Sequence, residues 1–91
     1  MAIGPLRHIL LRRRLNESYE THPEHAEQIT LLLEDKTAFN SWLDAIANAN
    51  RRLVSMDWDE FFAFIRDNWL DLLLLGVRIA LLFAKTNKGE R

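Results

Sequence analysis

The chain contains no cysteine. Without thiols it cannot form a disulfide, a thiolate zinc site or an iron–sulfur cluster, so only histidine and carboxylate side chains are left as metal ligands. Proline and glycine are scarce as well, with two and three copies, and the composition is 48% hydrophobic. These values exclude a low-complexity or disordered chain, and a length of 91 residues predicts a single domain over residues 1–91.

Motifs of catalysis and of cofactor binding are also missing. The sequence has no Gly-rich phosphate loop, no nucleophile elbow and no HExxH pattern. Asp67 and Asp71 stand one helical turn apart, but no Ser, Thr or His lies beside them to complete an acid–base pair. His22 and His25 are spaced like two metal ligands, yet a third ligand is not evident. We therefore predict no enzyme activity, no cofactor and no metal.

Alternating strand patterns are absent and β-branched residues are few, which predicts an all-α fold. Pro5 suits the first position of a helix, and the pairs Thr21/Glu24 and Asp57/Glu60 have the spacing of capping boxes. The result is a small four-helix bundle-like domain. Its helices are predicted at about 5–19, 22–34, 36–53 and 57–85, between a basic N-terminal helix or arm over 1–20 and a short basic tail over 86–91.

The fold is predicted to be organised around the long helix at 57–85. At about 100° per residue its charged side chains fall in an arc about 40° wide, and apolar residues fill most of the remaining circumference. A helix with so narrow a polar stripe must bury its apolar surface against its own chain, in an oligomer or in lipid. The polar stripe is Glu60, Asp67, Asp71, Arg78 and Lys85, and Arg78 is expected to be the counter-ion of Asp71.

Three further predictions concern individual residues of the third and fourth helices. Asp35 or Thr37 can cap the third helix. Asn50 falls in the middle of the apolar face of that helix, so we expect it to have a hydrogen-bond partner, such as an acid of the long helix, or to fix the register at an oligomer seam, unless the helix frays before it. Gly76 lies inside the long helix at a cost of about 1 kcal/mol relative to alanine, which indicates either a close approach of another helix or a bend.

Charge is distributed in blocks although the net charge is only −1. Residues 1–16 carry four arginines and no acid, whereas residues 17–35 carry six acids and no lysine or arginine. The arginines are compatible with an organellar transit segment, with a nucleic-acid arm, or with a basic helix that faces an acidic neighbour or a partner. We predict the last of these.

The excess of apolar surface on the long helix predicts a non-enzymatic structural or interaction subunit. Such a subunit self-associates as a homo-oligomer or docks in a larger assembly, such as a virion or a multisubunit complex. The predicted contact residues on the long helix are Trp69, Leu73, Val77, Ala80 and Ala84. A second, electrostatic contact is predicted at Arg7, Arg12, Arg13 and Arg14.

Two alternatives belong to other functional classes. The first is a nucleic-acid-associated regulator that uses the same arginine cluster. The second is a small membrane-embedded pore-forming or holin-like protein, although the apolar run from Trp69 to Ala84 is shorter than the roughly 20 residues that span a bilayer. No secretory signal is recognisable, so an intracellular or virion-associated location is favoured.

Overall fold

The computed structural model describes residues 4–89, and for Val54 and residues 85–89 it describes the backbone alone. Four α-helices follow one another along the chain, α1 (Pro5–Thr21), α2 (Ala26–Glu34), α3 (Lys36–Ala49) and α4 (Trp58–Gly89). Short 3-10 turns lie between α1 and α2 at Pro23–His25 and between α3 and α4 at Arg51–Val54. Over residues 4–89 there is no β-strand, and the predicted all-α bundle-like fold is confirmed.

Two of the predicted helix starts are confirmed by their capping bonds. Asp35 precedes α3, and its carboxylate accepts hydrogen bonds from the backbone N–H groups of Thr37 (2.9 Å) and Ala38 (3.1 Å). At the start of α4 the Glu60 N–H donates to Asp57 (2.8 Å), and the Asp57 N–H donates to Glu60 (3.3 Å). Such bonds satisfy donors that the first helical turn leaves unpaired, and each cap typically stabilises a helix by about 1 kcal/mol.

The start predicted for the second helix is wrong. Thr21 is the last residue of α1, Pro23 begins a 3-10 turn, and α2 begins only at Ala26 without a side-chain cap. The physical reason is Pro23, which disfavours the helical conformation in the residue before it. His22 accordingly has φ −131° and ends α1, so Thr21 stays inside α1 and caps nothing.

The third helix is shorter than predicted, because it ends at Ala49. Asn50 leaves the helix in an extended conformation, and its side-chain oxygen accepts a hydrogen bond from the backbone N–H of Arg52 (3.2 Å). The partner of Asn50 is thus the 3-10 turn that follows it and not an acid of the long helix. The turn keeps Leu53 in the core, where it is fully buried.

The core forms where α4 packs against α2 and α3, and side chains of both helices pack closely against Gly76. A Cβ atom on Gly76 would lie 2.9 Å from Leu32 Cδ1 and 3.0 Å from Trp42 Nε1. The Trp42 indole N–H donates to the Leu72 carbonyl at 2.9 Å, which fixes the ring over the glycine. Of the two roles predicted for Gly76, the structure therefore supports the close approach of another helix.

A second tryptophan ties α1 to α4. The Trp69 indole N–H donates to the Ser18 hydroxyl at 2.7 Å, and that hydroxyl donates to the Arg14 carbonyl at 3.1 Å. Trp69 also packs edge to face against Trp42, with ring centroids 6.0 Å apart. Within the described residues every buried side-chain nitrogen and oxygen has a hydrogen-bond partner, as a close-packed core requires.

Replacing Ser18 with alanine is expected to lower the free energy of unfolding by about 1–3 kcal/mol, because the buried Trp69 N–H loses its acceptor. Urea denaturation followed by circular dichroism measures the change. Trp69→Phe supplies the control, since the phenylalanine ring has no donor. In that background Ser18→Ala should have little effect, and an equal loss in both backgrounds would contradict the role given to the hydrogen bond.

Candidate interaction surface

The side of α4 that faces away from the core carries a row of exposed leucines. At about 100° per residue these side chains fall within an arc of about 40°, and they lie about 120–160° around the helix from Gly76. Their exposed fractions are 55%, 38% and 51%, high for large apolar side chains in an ordered helix. We call this row the outer seam, and its members are Leu70, Leu74 and Leu81.

The contact residues predicted from the sequence lie on the neighbouring, core-facing side of α4, and Val77 and Ala84 are at its border with the outer seam. Trp69, Leu73, Val77 and Ala80 are 6%, 0%, 8% and 0% exposed, and Ala84 is half-buried. Most of their surface packs against the chain's own helices, so the surface left open to a partner is the outer seam, with Val77 at its border, and the contact predicted at these five residues stays a prediction. The surplus apolar surface exists, but the outer seam carries it.

The polar stripe borders the outer seam. Asp67 pairs with its neighbour Arg66, with Nε and Oδ1 3.1 Å apart. Asp71 and Arg78 form no ion pair within the described residues, so the expected pairing between them does not occur. They stand seven residues apart, a rise of about 10 Å along the helix, which is too far for a direct contact. The Lys85 side chain lies outside the described residues. The exposed members are Glu60, Asp67, Asp71 and Arg78.

The first residue of the arginine cluster is used inside the molecule. The Arg7 guanidinium donates to the backbone carbonyls of Leu53 and Met56, in the connection between α3 and α4. It also lies over two aromatic rings, 5.3 Å from the centre of Trp58 and 4.9 Å from the centre of Phe61. Arg7 therefore fastens the start of α1 to the start of α4 and is only partly exposed.

A second residue of the arginine cluster, Arg12, also has partners within the chain. Arg12 donates to the Leu33 carbonyl near the end of α2 and lies 5.4 Å from the Phe39 ring centre.

Arg14 lies 5.5 Å from the Trp69 ring centre and 3.9 Å from the Glu17 carboxylate. Arg13 is exposed and makes no hydrogen bond or ion pair with any described residue. The arginine cluster thus serves mainly to hold α1 in place. Because three of its four side chains have partners within the chain, the cluster gives no special support to a nucleic-acid contact.

A groove of about 200 Å³ runs between α1 and the first turns of α4. Phe62, on its wall, is 49% exposed. Pockets that enclose small molecules usually measure about 300–1,000 Å³, so we assign no small-molecule site here. The groove is lined by Leu10, Leu11, Arg13, Arg14, Glu17, Phe61, Phe62, Ile65 and Arg66.

His22 and His25 meet at Glu24 in the turn between α1 and α2. The carboxylate lies 3.5 Å from His22 Nδ1 and 3.9 Å from His25 Nε2. The pKa of Glu24 is lowered from its ordinary value, first by a backbone hydrogen bond and then by the two histidines, against an opposing effect of desolvation. No group of three or more potential ligands in the described part of the chain is arranged to hold a metal ion.

Among the described residues, no helix combines the length and the hydropathy that a membrane-spanning segment needs. Comparison with protein families, with curated proteins and with solved structures found no match to this chain.

Proposed function

We propose that this protein is a non-enzymatic structural or interaction subunit that docks through the outer seam of α4. The observation that carries the proposal is a row of three large leucines, each more than a third exposed, on one face of an ordered helix. Exposed apolar side chains scattered singly are ordinary, whereas an aligned row bordered by charges is typical of protein–protein contact sites.

Two properties of the fold support a docking role for this face. The core beneath α4 is complete, since buried polar atoms of the described residues are all paired and Leu73, Trp42 and Phe39 are at most 1% exposed. The outer seam is therefore not the edge of an unfinished core. It also lies on a helix whose rotation is fixed by Gly76, Trp42 and Trp69, so its leucines are presented in one orientation. A preformed rigid face loses little conformational entropy on binding.

The test is site-specific photocrosslinking. A benzophenone amino acid replaces Leu74, and irradiation is carried out on the purified protein and on an extract of the cells that naturally produce it. We expect a covalent protein adduct from position 74. The matched control places the same group at Leu6, an exposed leucine of α1. An absence of adducts from position 74, or the same adducts at the same yield from position 6, would contradict docking through the outer seam.

A further inference from the structure

The spacing of the outer seam is that of a coiled-coil interface. Leu70, Leu74, Val77 and Leu81 follow one another at intervals of four, three and four residues. Alternating steps of four and three make a seven-residue repeat, about 3.5 residues per step, with which two helices pack along a shared seam. Val77 lies at the border with the core and is 8% exposed. With the same alternation the row continues through Asp67 to Ala63 at one end and to Ala84 at the other. The face therefore suits a second helix of similar length.

We propose that the occupant of the outer seam is α4 of a second copy of this chain, running antiparallel to the first about a two-fold axis. This inference rests on the docking role proposed above and names the partner. Setting Leu74 opposite Val77 of the second copy also sets Leu70 opposite Leu81 of the second copy. A two-fold axis makes both contacts twice, as an interface between identical surfaces requires.

The charges beside the seam are arranged to complement themselves in this direction. Asp71 and Arg78 lie on the same edge of the seam and both are exposed. Neither has an ion-pair partner within the described residues. In the antiparallel pair the edge of one helix faces the same edge of the other. Asp71 then meets Arg78 of the second copy, and Arg78 meets Asp71 of the second copy. Charges at these flanking positions set the orientation of paired helices.

A parallel pair is disfavoured by the same residues. Asp67 belongs to the seam row, three residues before Leu70, and in a parallel pair it would face Asp67 of the second copy. Like charges directly opposite each other repel, and the repulsion is strongest where water is excluded. In the antiparallel pair Asp67 faces Ala84 of the second copy instead. Arg78 likewise gains an acidic partner only in the antiparallel arrangement.

The orientation is measured with single cysteines, because the natural chain has none. Leu70→Cys and Leu81→Cys variants are treated with a short bis-maleimide, separately and as an equimolar mixture. The antiparallel pair gives a crosslinked dimer in the mixture and none from either variant alone, since like positions are about 16 Å apart along the helix axis. Crosslinking of Leu70→Cys with itself would show parallel pairing and overturn the proposal. Ile9→Cys mixed with Leu70→Cys is the control, and product there at equal yield would also count against it.

Charge variants test the same interface without crosslinking. Asp71→Arg and Arg78→Asp each place like charges at both contacts, and we expect each to weaken dimer formation about tenfold. In an equimolar mixture of the two variants, opposite charges meet again at both contacts, so the dimer is restored. Sedimentation equilibrium at low salt measures both effects. A mixture that associates no better than the separate variants would overturn the proposal.

The failure of this inference can be told apart from a failure of the docking role. If the benzophenone at position 74 crosslinks only to a different protein, and the cysteine mixture gives no dimer, self-pairing is wrong and docking through the outer seam remains. If position 74 crosslinks to nothing, both proposals are wrong. If position 74 crosslinks to a second copy and only the cysteine mixture gives a dimer, both are supported.

Discussion

Gly76→Val is expected to lower the free energy of unfolding by about 3 kcal/mol, because the new side chain has no space between α4 and its neighbours. The first atom alone would lie 2.9 Å from Leu32 Cδ1 and 3.0 Å from Trp42 Nε1. Leu32 can rotate its terminal methyl group. Trp42 cannot give way, because its indole N–H is bonded to the Leu72 carbonyl within a buried cluster of rings. Urea denaturation followed by circular dichroism measures the loss.

Gly76→Ala decides between helix propensity and packing. In an open position this change would stabilise a helix by about 1 kcal/mol. Here the contact with Trp42 opposes that gain, and we expect a net destabilisation of about 1 kcal/mol. Gly4→Val is the matched control, since no atom lies within 4 Å of the place where its Cβ would stand, and only a small change is expected. A Gly76→Val protein with wild-type stability would mean that α2 and α3 do not close over this glycine.

The helix starts that were predictable from the sequence are those fixed by neighbouring residues. Asp35 and the pair Asp57/Glu60 make their bonds within three positions of themselves, so local spacing contains all the information that is needed. The pair Thr21/Glu24 has the same spacing and does not form a cap, because Pro23 lies between them and ends α1 first. A proline is compatible with a helix start and with a turn, and here Pro23 begins a turn.

The role of the arginines could not be predicted in the same way. Arg7 bonds to carbonyls that lie 46 and 49 positions further along the chain. Arg12 bonds to one that lies 21 positions away. A block of like charge indicates only that the charges need a partner, and backbone carbonyls at helix ends are partners that composition does not reveal. Only the folded structure shows that Arg7 and Arg12 bind α1 to the rest of the chain and that Arg13 is exposed to solvent.

The exposed position of the outer seam is not predictable from the sequence, because leucines occur on nearly every side of α4. Residues 72–75 are all leucine, and two of them are buried, one is half-buried and one is exposed. Hydrophobic periodicity cannot rank faces that are equally apolar, and which face is buried is set by Gly76 and the residues that close over it. One signal was present in the sequence. The alternating intervals of four and three residues from Leu70 to Leu81 follow a seven-residue repeat along the border of the core face.

Leu73→Asp and Leu74→Asp are expected to have opposite outcomes, although the residues are adjacent. Leu73 is 0% exposed, so an aspartate there places a carboxylate in the core without a partner. The cost of burying such a group is several kcal/mol, comparable with the whole stability of a small domain, about 5 kcal/mol at the lower end, and the variant is expected to unfold. Leu74 is 38% exposed. Its replacement should cost about 1 kcal/mol or less, mainly through helix propensity.

The pair of variants separates folding from association in one experiment. Leu73→Asp loses its helical circular dichroism signal, and any loss of assembly follows from unfolding. Leu74→Asp keeps the signal and the cooperative urea transition, so a loss of assembly must come from the outer seam itself. The same change at Leu6, an exposed leucine outside α4, is the control and should affect neither property. Equal stability of the Leu73 and Leu74 variants would mean that α4 is rotated differently about its axis, because only its rotation makes one leucine core and the next one surface.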